Sequence, residues 1–243
     1  QFPENIDVLE LMGLAHSEIG GYVEAAFWYE QVARLHSNGT PFLKLAGECY
    51  ELSGQDPSAI LIYSEYVDSQ PDDGLVWHKL YQLMARAART PGLPETELKQ
   101  LATDAINAIN MAKMAITSQE ALEIARLLLK INILPVAESY FKEVASNPEG
   151  DQQAALTGLL EVYLAQENND KAESTARLLE QRFAGSIDND PLASKVIQLL
   201  ASRHASTFFA LNYEFAGRGV SDFLTTLHEH VVASISQPTG KLS

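Results

Sequence analysis

The stretch that decides the fold runs from residue 40 to residue 73 and reads TPFLKLAGECYELSGQDPSAILIYSEYVDSQPDD. Gly47 and Ala59 lack bulk, which would let two antiparallel helices approach each other closely. Pro71 stops the second helix before a further element begins. Turn and cap chemistry surrounds that proline at Asp68, Ser69, Asp72 and Asp73. The stretch therefore predicts a helical hairpin.

The same residue types recur at an offset of 34 residues on both sides of this stretch. The upstream copy carries Leu9, Met12, Gly13, His16, Ala25, Tyr29 and Val32, and the downstream copy carries Trp77, Leu80, Tyr81 and Met84. Weaker copies over 118–152 and 153–187 give repeat starts near residues 6, 40, 74, 118 and 153. One hairpin cannot bury its apolar face alone, so successive hairpins are expected to pack on one another. Three successive copies in one register argue against an ordinary helical bundle.

This pattern resembles the tetratricopeptide (TPR) repeat, and segment 40–73 is the best copy, with Leu43, Gly47, Tyr50, Gly54, Ala59, Tyr63 and Pro71 at the expected positions. The resemblance implies an all-α fold, a right-handed superhelical solenoid of antiparallel helix pairs. The array would cover residues 1–187, and residues 188–243 would form a helical C-terminal cap.

In proteins that this chain resembles, the first helices of successive repeats line a concave groove that holds an extended peptide or a partner helix. The resemblance implies that the groove is lined here by Glu10, Leu14, Ser17, Lys44, Glu48, Glu51, His78, Gln82, Arg86 and Arg126. Leu122, Leu129, Thr157 and Glu161 would continue it in the later repeats.

A subset of the family clamps the C-terminal carboxylate of chaperones with Lys and Asn at set positions. In one register these positions hold Glu10, Leu14 and Leu45, and one repeat later they hold Lys44, Glu48 and Lys79. The clamp is broken in both registers, which argues against a chaperone adaptor of that type.

The interval between the third and fourth repeat starts is 44 residues, ten longer than the 34-residue norm. The excess falls near 88–97, where two prolines and a glycine end one helix and delay the next. The second helix of this repeat is predicted from Glu97 to Met114. The insertion is either a partner contact or a tolerated loop.

Beyond Gly185 the repeat pattern fades. Three helical stretches are predicted there, opening at Asp190-Pro191, near Ser202 and at Ser221. They would cap the apolar end of the array. In the alternative interpretation, Phe208, Phe209 and Phe215 form an exposed docking edge.

Negative charge is concentrated in the first third of the chain. The 17 Lys and Arg against 32 Asp and Glu give a net charge of −15, and residues 1–73 hold 13 of the acids with only two bases, Arg34 and Lys44. A nonspecific nucleic-acid binder needs cations to replace counterions, so nucleic acid is excluded as a partner class. The acidic block either attracts a cationic partner or is a solvated helix face.

Motifs for catalysis, cofactors or metals are not found in the sequence. Cys49, the one cysteine, lies in a packed helix and is predicted to be a small core residue. His228-Glu229-His230 lacks the four-residue spacing of a zinc helix, and Gly217-Arg218-Gly219 lacks the third glycine of a dinucleotide site. The prediction is a protein without enzymatic activity, cofactor or metal.

No apolar run is long enough to span a bilayer. The chain begins at Gln1 without a methionine, which suggests a fragment of something longer, and the low cysteine content suits cytoplasm and bacterial periplasm equally.

Two functional hypotheses remain. In the first, the groove of a non-enzymatic scaffold recruits a basic or amphipathic peptide or protein. In the second, the convex face and the C-terminal helices make a structural subunit of a larger assembly or a homo-oligomer.

Overall fold

The computed structural model describes residues 5–183 together with Leu192, Lys195, Val196 and Leu199. These residues contain ten α-helices and no strand. The helices are α1 Ile6–Glu18, α2 Tyr22–Leu35, α3 Thr40–Leu52, α4 Asp56–Ser69, α5 Gly74–Ala87, α6 Glu95–Ala112, α7 Ser118–Lys130, α8 Leu134–Ser146, α9 Gln152–Ala165 and α10 Asn169–Arg182.

The chain divides into two compact units, an N-terminal unit over residues 1–116 and a C-terminal unit over residues 117–243. In the N-terminal unit α1 pairs with α2, α3 with α4 and α5 with α6, while α2 packs on α3 and α4 on α5. In the C-terminal unit α7 pairs with α8 and α9 with α10, while α9 also contacts both α7 and α8. Short connections between contacting helices make each pair an antiparallel hairpin.

The first helices of the five hairpins begin at residues 6, 40, 74, 118 and 152, within one residue of the repeat starts read from the sequence. The predicted all-α fold of TPR-like helix pairs is therefore confirmed for the described residues. The assignment of a single array over 1–187 stays a prediction.

Glycine and an aromatic ring set the spacing of the first two hairpins. A Cβ on Gly13 would lie 2.7 Å from the Tyr29 ring, and one on Gly47 would lie 2.5 Å from the Tyr63 ring. Both distances are too short for a real carbon contact, so only glycine lets the ring lie against the helix backbone. The close approach predicted from Gly13 and Gly47 is confirmed.

Most of the ten extra residues of the third repeat lie in the connection 88–94 and in a long α6 of 18 residues. This helix begins two residues before the predicted Glu97 and ends two residues before the predicted Met114. It ends early because Lys113 takes a left-handed conformation with φ of 51°. Its buried face is made largely of alanine, at Ala102, Ala105 and Ala108.

The predicted C-terminal cap lies mostly outside the described residues. Leu192, Val196 and Leu199, three members of its first apolar stripe, are buried. The predictions for His228-Glu229-His230, Gly217-Arg218-Gly219 and the Phe208, Phe209 and Phe215 edge also fall outside the described part of the chain.

None of the helices in the described part of the chain combines the length and the apolar character that crossing a membrane requires.

Candidate functional site

The predicted groove residues of the N-terminal unit lie on α1, α3 and α5, and none of them is fully buried. Glu10, Leu14, Gln82 and Arg86 are exposed, whereas Ser17, Lys44, Glu48, Glu51 and His78 are half-buried. Several of the half-buried charges are held by other residues of the same unit.

Lys44 of α3 forms an ion pair with Asp73, the residue that immediately precedes α5. Its Nζ donates to Asp73 Oδ2 at 2.9 Å, and the Tyr66 hydroxyl donates to the same oxygen at 2.9 Å. Asp73 also caps α5, because its Oδ1 accepts from the backbone N–H of Val76 at 3.3 Å. The hydrogen bond between Lys44 and Asp73 raises the pKa of Lys44 and lowers that of Asp73.

Glu51 is held in a similar way between two hairpins. It accepts from the Tyr63 hydroxyl at 3.0 Å and from Lys79 Nζ of α5 at 2.8 Å. Burial, with the Glu51 charge adding to it, raises the pKa of Tyr63.

Arg86 pairs with Asp56 of α4, with Nε 2.7 Å from Oδ2. Each of the predicted groove residues Lys44, Glu51 and Arg86 thus has an ion-pair partner within the unit. Their assignment to a ligand-facing wall stays a prediction. Sequence reasoning missed those partners, Asp73, Lys79 and Asp56. They stand 28 to 30 residues from the groove residue, slightly less than one repeat.

A groove of about 660 Å³ opens between α7 and α9 of the C-terminal unit. It is lined by Arg126, Leu129, Lys130, Phe141, Asp151, Gln153, Ala154, Thr157, Gly158 and Glu161. Four of these residues, Arg126, Leu129, Thr157 and Glu161, were assigned to the groove from the sequence. The fifth predicted residue of this region, Leu122, is buried in the core and does not line the groove.

Gly158, one of the lining residues, lets two helices of this region pack closely. A Cβ at this position would collide with the Phe141 ring of α8, so glycine lets α9 lie close against α8. The Gly158 and Phe141 pair was not predicted, because Gly158 does not occupy the glycine position of the repeat pattern.

A second cavity of about 640 Å³ shares Leu129 and Glu161 with the first. Its other lining residues are Leu164, Ala165, Glu167, Asn169, Leu192, Lys195 and Leu199. The two cavities together give a surface with an apolar floor and charges of both signs at its rim.

Glu138 of α8 holds the helices behind this groove together. Its carboxylate accepts from Lys142 at 2.8 Å, from Tyr163 at 3.1 Å, from Gln166 at 3.3 Å and from Lys171 at 3.0 Å. These hydrogen bonds, that of Lys142 foremost, lower the pKa of Glu138 to about 2. The cluster positions α9 and α10 against α8.

These sites offer hydrogen bonds, charges and apolar contacts for binding. Cys49 is buried, as predicted, and burial raises the pKa of its thiol, so it is a poor nucleophile at neutral pH. The described residues also include no group of three or more His, Cys, Asp or Glu side chains placed to hold a metal ion.

No family model matches this chain. No curated protein matches it in sequence either. Among solved structures, it is similar to a thermophilic TPR protein of Thermus thermophilus, at 14% identity and a TM-score of 0.32, over 84% of this chain and 100% of the other. With paired helices recurring at 34-residue intervals in its first three hairpins, the described part of the chain consists of TPR-like repeats.

Proposed function

We propose that this protein is a non-enzymatic scaffold for protein interactions and that it binds an extended peptide or a partner helix along the first helices of its repeats. Stacked helical hairpins expose such helices as extended binding surfaces. The observation that carries the proposal is the groove between α7 and α9, which is lined by the polar side chains of Arg126, Thr157 and Glu161 together with the apolar side chain of Leu129.

The groove has the composition of a peptide site. An apolar floor supplies burial, and a rim of both charges supplies orientation and discrimination between ligands. The exposed Glu10 and the half-buried Glu48 of the N-terminal unit favour a basic or amphipathic ligand there.

Peptide selection tests the proposal without knowledge of the partner. A random peptide library is selected on the immobilised full chain, and each recovered peptide is titrated by fluorescence anisotropy. Arg126→Glu and Thr157→Arg change the rim and the width of the groove. The matched control is Arg182→Glu, which makes the same charge change at an exposed position of α10.

The expected result is a set of peptides whose affinity falls about tenfold or more with Arg126→Glu or Thr157→Arg and stays unchanged with Arg182→Glu. Recovery of no peptide, or equal binding by all variants, contradicts the groove. A different outcome is a natural partner whose binding is unaffected by both groove variants and by salt, yet is lost when the chain ends at Ser186. That result would replace the groove proposal with the structural-subunit hypothesis.

A further inference from the structure

The outer face of α1 carries an apolar stripe that the groove does not use. The stripe runs along one side of α1 and onto its C-cap residue, since its members are three, one, three and four residues apart: Val8, Leu11, Met12, Ala15 and Ile19. Leu11 is 63% exposed and Ile19 is 79% exposed. Single exposed apolar residues need no explanation, but a continuous stripe on one helix indicates a contact surface.

The equivalent repeat positions can be compared on the other first helices of the N-terminal unit. Val76, Leu80 and Leu83 of α5 stand 68 residues after Val8, Met12 and Ala15, and all three are buried.

The equivalent positions of α3 include Ala46 and Cys49, which are buried as well. Both helices have a preceding hairpin packed on them: α2 packs on α3, and α4 packs on α5.

In α1 these repeat positions hold Val8, Met12 and Ala15, which are exposed or half-buried. Leu11 of the stripe corresponds instead to Leu45 and Lys79, which are not buried. The outer face of α1 therefore has the geometry and the composition of a surface that another helix covers.

The charges near this face select the kind of helix. On α1, Asp7 stands four residues before Leu11 and Glu18 stands three residues after Ala15, so both flank the stripe. The two Lys or Arg residues among described positions 5–73 already have anionic partners: Arg34 Nη2 lies 3.1 Å from Glu30, and Lys44 Nζ lies 2.9 Å from Asp73. A second copy meeting this face through its own α1 would oppose like charges, which is unfavourable.

We propose that the outer face of α1 docks a cationic amphipathic helix of a partner protein. The apolar side of that helix covers Val8, Met12 and Ile19, and its Lys and Arg side chains lie near Asp7 and Glu18. This site is separate from the α7–α9 groove, so either one can fail experimentally without the other.

A synthetic peptide provides the probe. A fluorescein-labelled amphipathic helix of about 18 residues, with leucines at spacings of three and four and lysines elsewhere, spans about five turns. A scrambled peptide of the same composition keeps the charge and loses the apolar side. Both are titrated against the full chain by fluorescence anisotropy at two salt concentrations.

The test variant is Leu11→Lys with Ile19→Lys, and the control is Leu61→Lys with Leu75→Lys. The control residues are 68% and 62% exposed and lie on α4 and α5, so both variants make the same charge change at two exposed aliphatic side chains. The helical peptide is expected to bind about tenfold or more tightly than the scrambled one. The test variant should lose about tenfold in affinity and the control should lose little. Thermal unfolding followed by circular dichroism checks that both variants are folded.

Three results overturn the proposal. The first is equal binding of the helical and scrambled peptides. The second is an equal loss of affinity in the test and control variants. The third is loss of helical-peptide binding in Arg126→Glu but not in the α1 variant, which would place the peptide in the α7–α9 groove. Light scattering provides a fourth: a dimer that becomes monomeric in the α1 variant would show that a second copy covers this face.

Discussion

At the scale of single residues, the absence of a side chain sets how closely the helices pack. Gly47 lies against the ring of Tyr63, whose hydroxyl donates to Glu51 one turn further along the first helix. The ring therefore fills the space that a Cβ would occupy and forms a hydrogen bond at its far end. This arrangement depends on both residues, and it leads to a test that uses both.

Gly47→Ala is expected to destabilise the protein, because its Cβ would lie 2.5 Å from the Tyr63 ring. Overpacking costs about 1–3 kcal/mol, and the better helix propensity of alanine offsets about 1 kcal/mol of that. The free energy of unfolding, measured by urea denaturation, should fall by up to about 2 kcal/mol.

The matched experiment introduces Gly47→Ala into a Tyr63→Leu background. Without the ring, alanine should be neutral or stabilising, so the sign of the effect should change. An equal loss of stability in both backgrounds would show that the ring does not determine the need for glycine.

The glycine pairs could be read from residue types, since the repeat places Gly13 and Gly47 opposite an aromatic position. The ion pairs of Lys44 and Glu51 could not be predicted from residue types. Their repeat positions predict a groove wall, and the sequence does not show that Asp73 and Lys79, from a neighbouring hairpin, form ion pairs with them. A repeat pattern assigns a residue to a helix face and does not identify the charge that lies opposite it.

At the scale of helices, half-buried carboxylates join one hairpin to the next. Tyr50 of α3 donates to Glu30 of α2 at 2.6 Å, and Tyr163 of α9 donates to Glu138 of α8 at 3.1 Å. The two tyrosines occupy the same repeat position, so the donor could be predicted. The two glutamates occupy different repeat positions, so the pairing became apparent only from the packing of the helices.

Glu138→Gln is expected to lower stability at neutral pH by about 1–3 kcal/mol, because it weakens the charge-assisted hydrogen bonds from Lys142 and Lys171. The pKa of Glu138 is lowered from 4.5 to about 2 in the folded protein. Its stabilisation is therefore fully present above about pH 4.5 and is lost as the pH falls toward 2.

Urea denaturation at several pH values checks this expectation. The difference in unfolding free energy between wild type and Glu138→Gln should shrink as the pH is lowered from 5 toward about 2. Glu143→Gln, at an exposed position of the same helix, is the control and should show little difference at any pH. A Glu138→Gln difference that does not change with pH would contradict the role of the charge.

At the scale of the whole molecule, a short non-helical segment connects the two compact units. It runs from Lys113, which has φ of 51°, to Thr117, which caps α7 by accepting from the backbone N–H of Glu120. Lys113, Met114 and Ala115 are exposed. An exposed segment without helical hydrogen bonds is the expected site of proteolysis.

Limited trypsin digestion should cut after Lys113 before it cuts after Lys99, which is also exposed but lies within α6. The fragment that begins at Met114 is identified by mass spectrometry over a time course. Lys113→Gln should remove this cut and leave the others in place. A first cut after Lys99 would contradict the assignment of 113–117 as the connection between the units.

The amino-acid sequence predicts the helices and their pairing. This is possible because each hairpin buries residues at the same repeat positions, so small and apolar residues recur there at regular spacings. Which charges face a ligand and which face a neighbouring hairpin is not readable in this way. An ion pair such as Lys44 with Asp73 depends on a distance of 2.9 Å across 29 residues, and that distance exists only once the hairpins have packed.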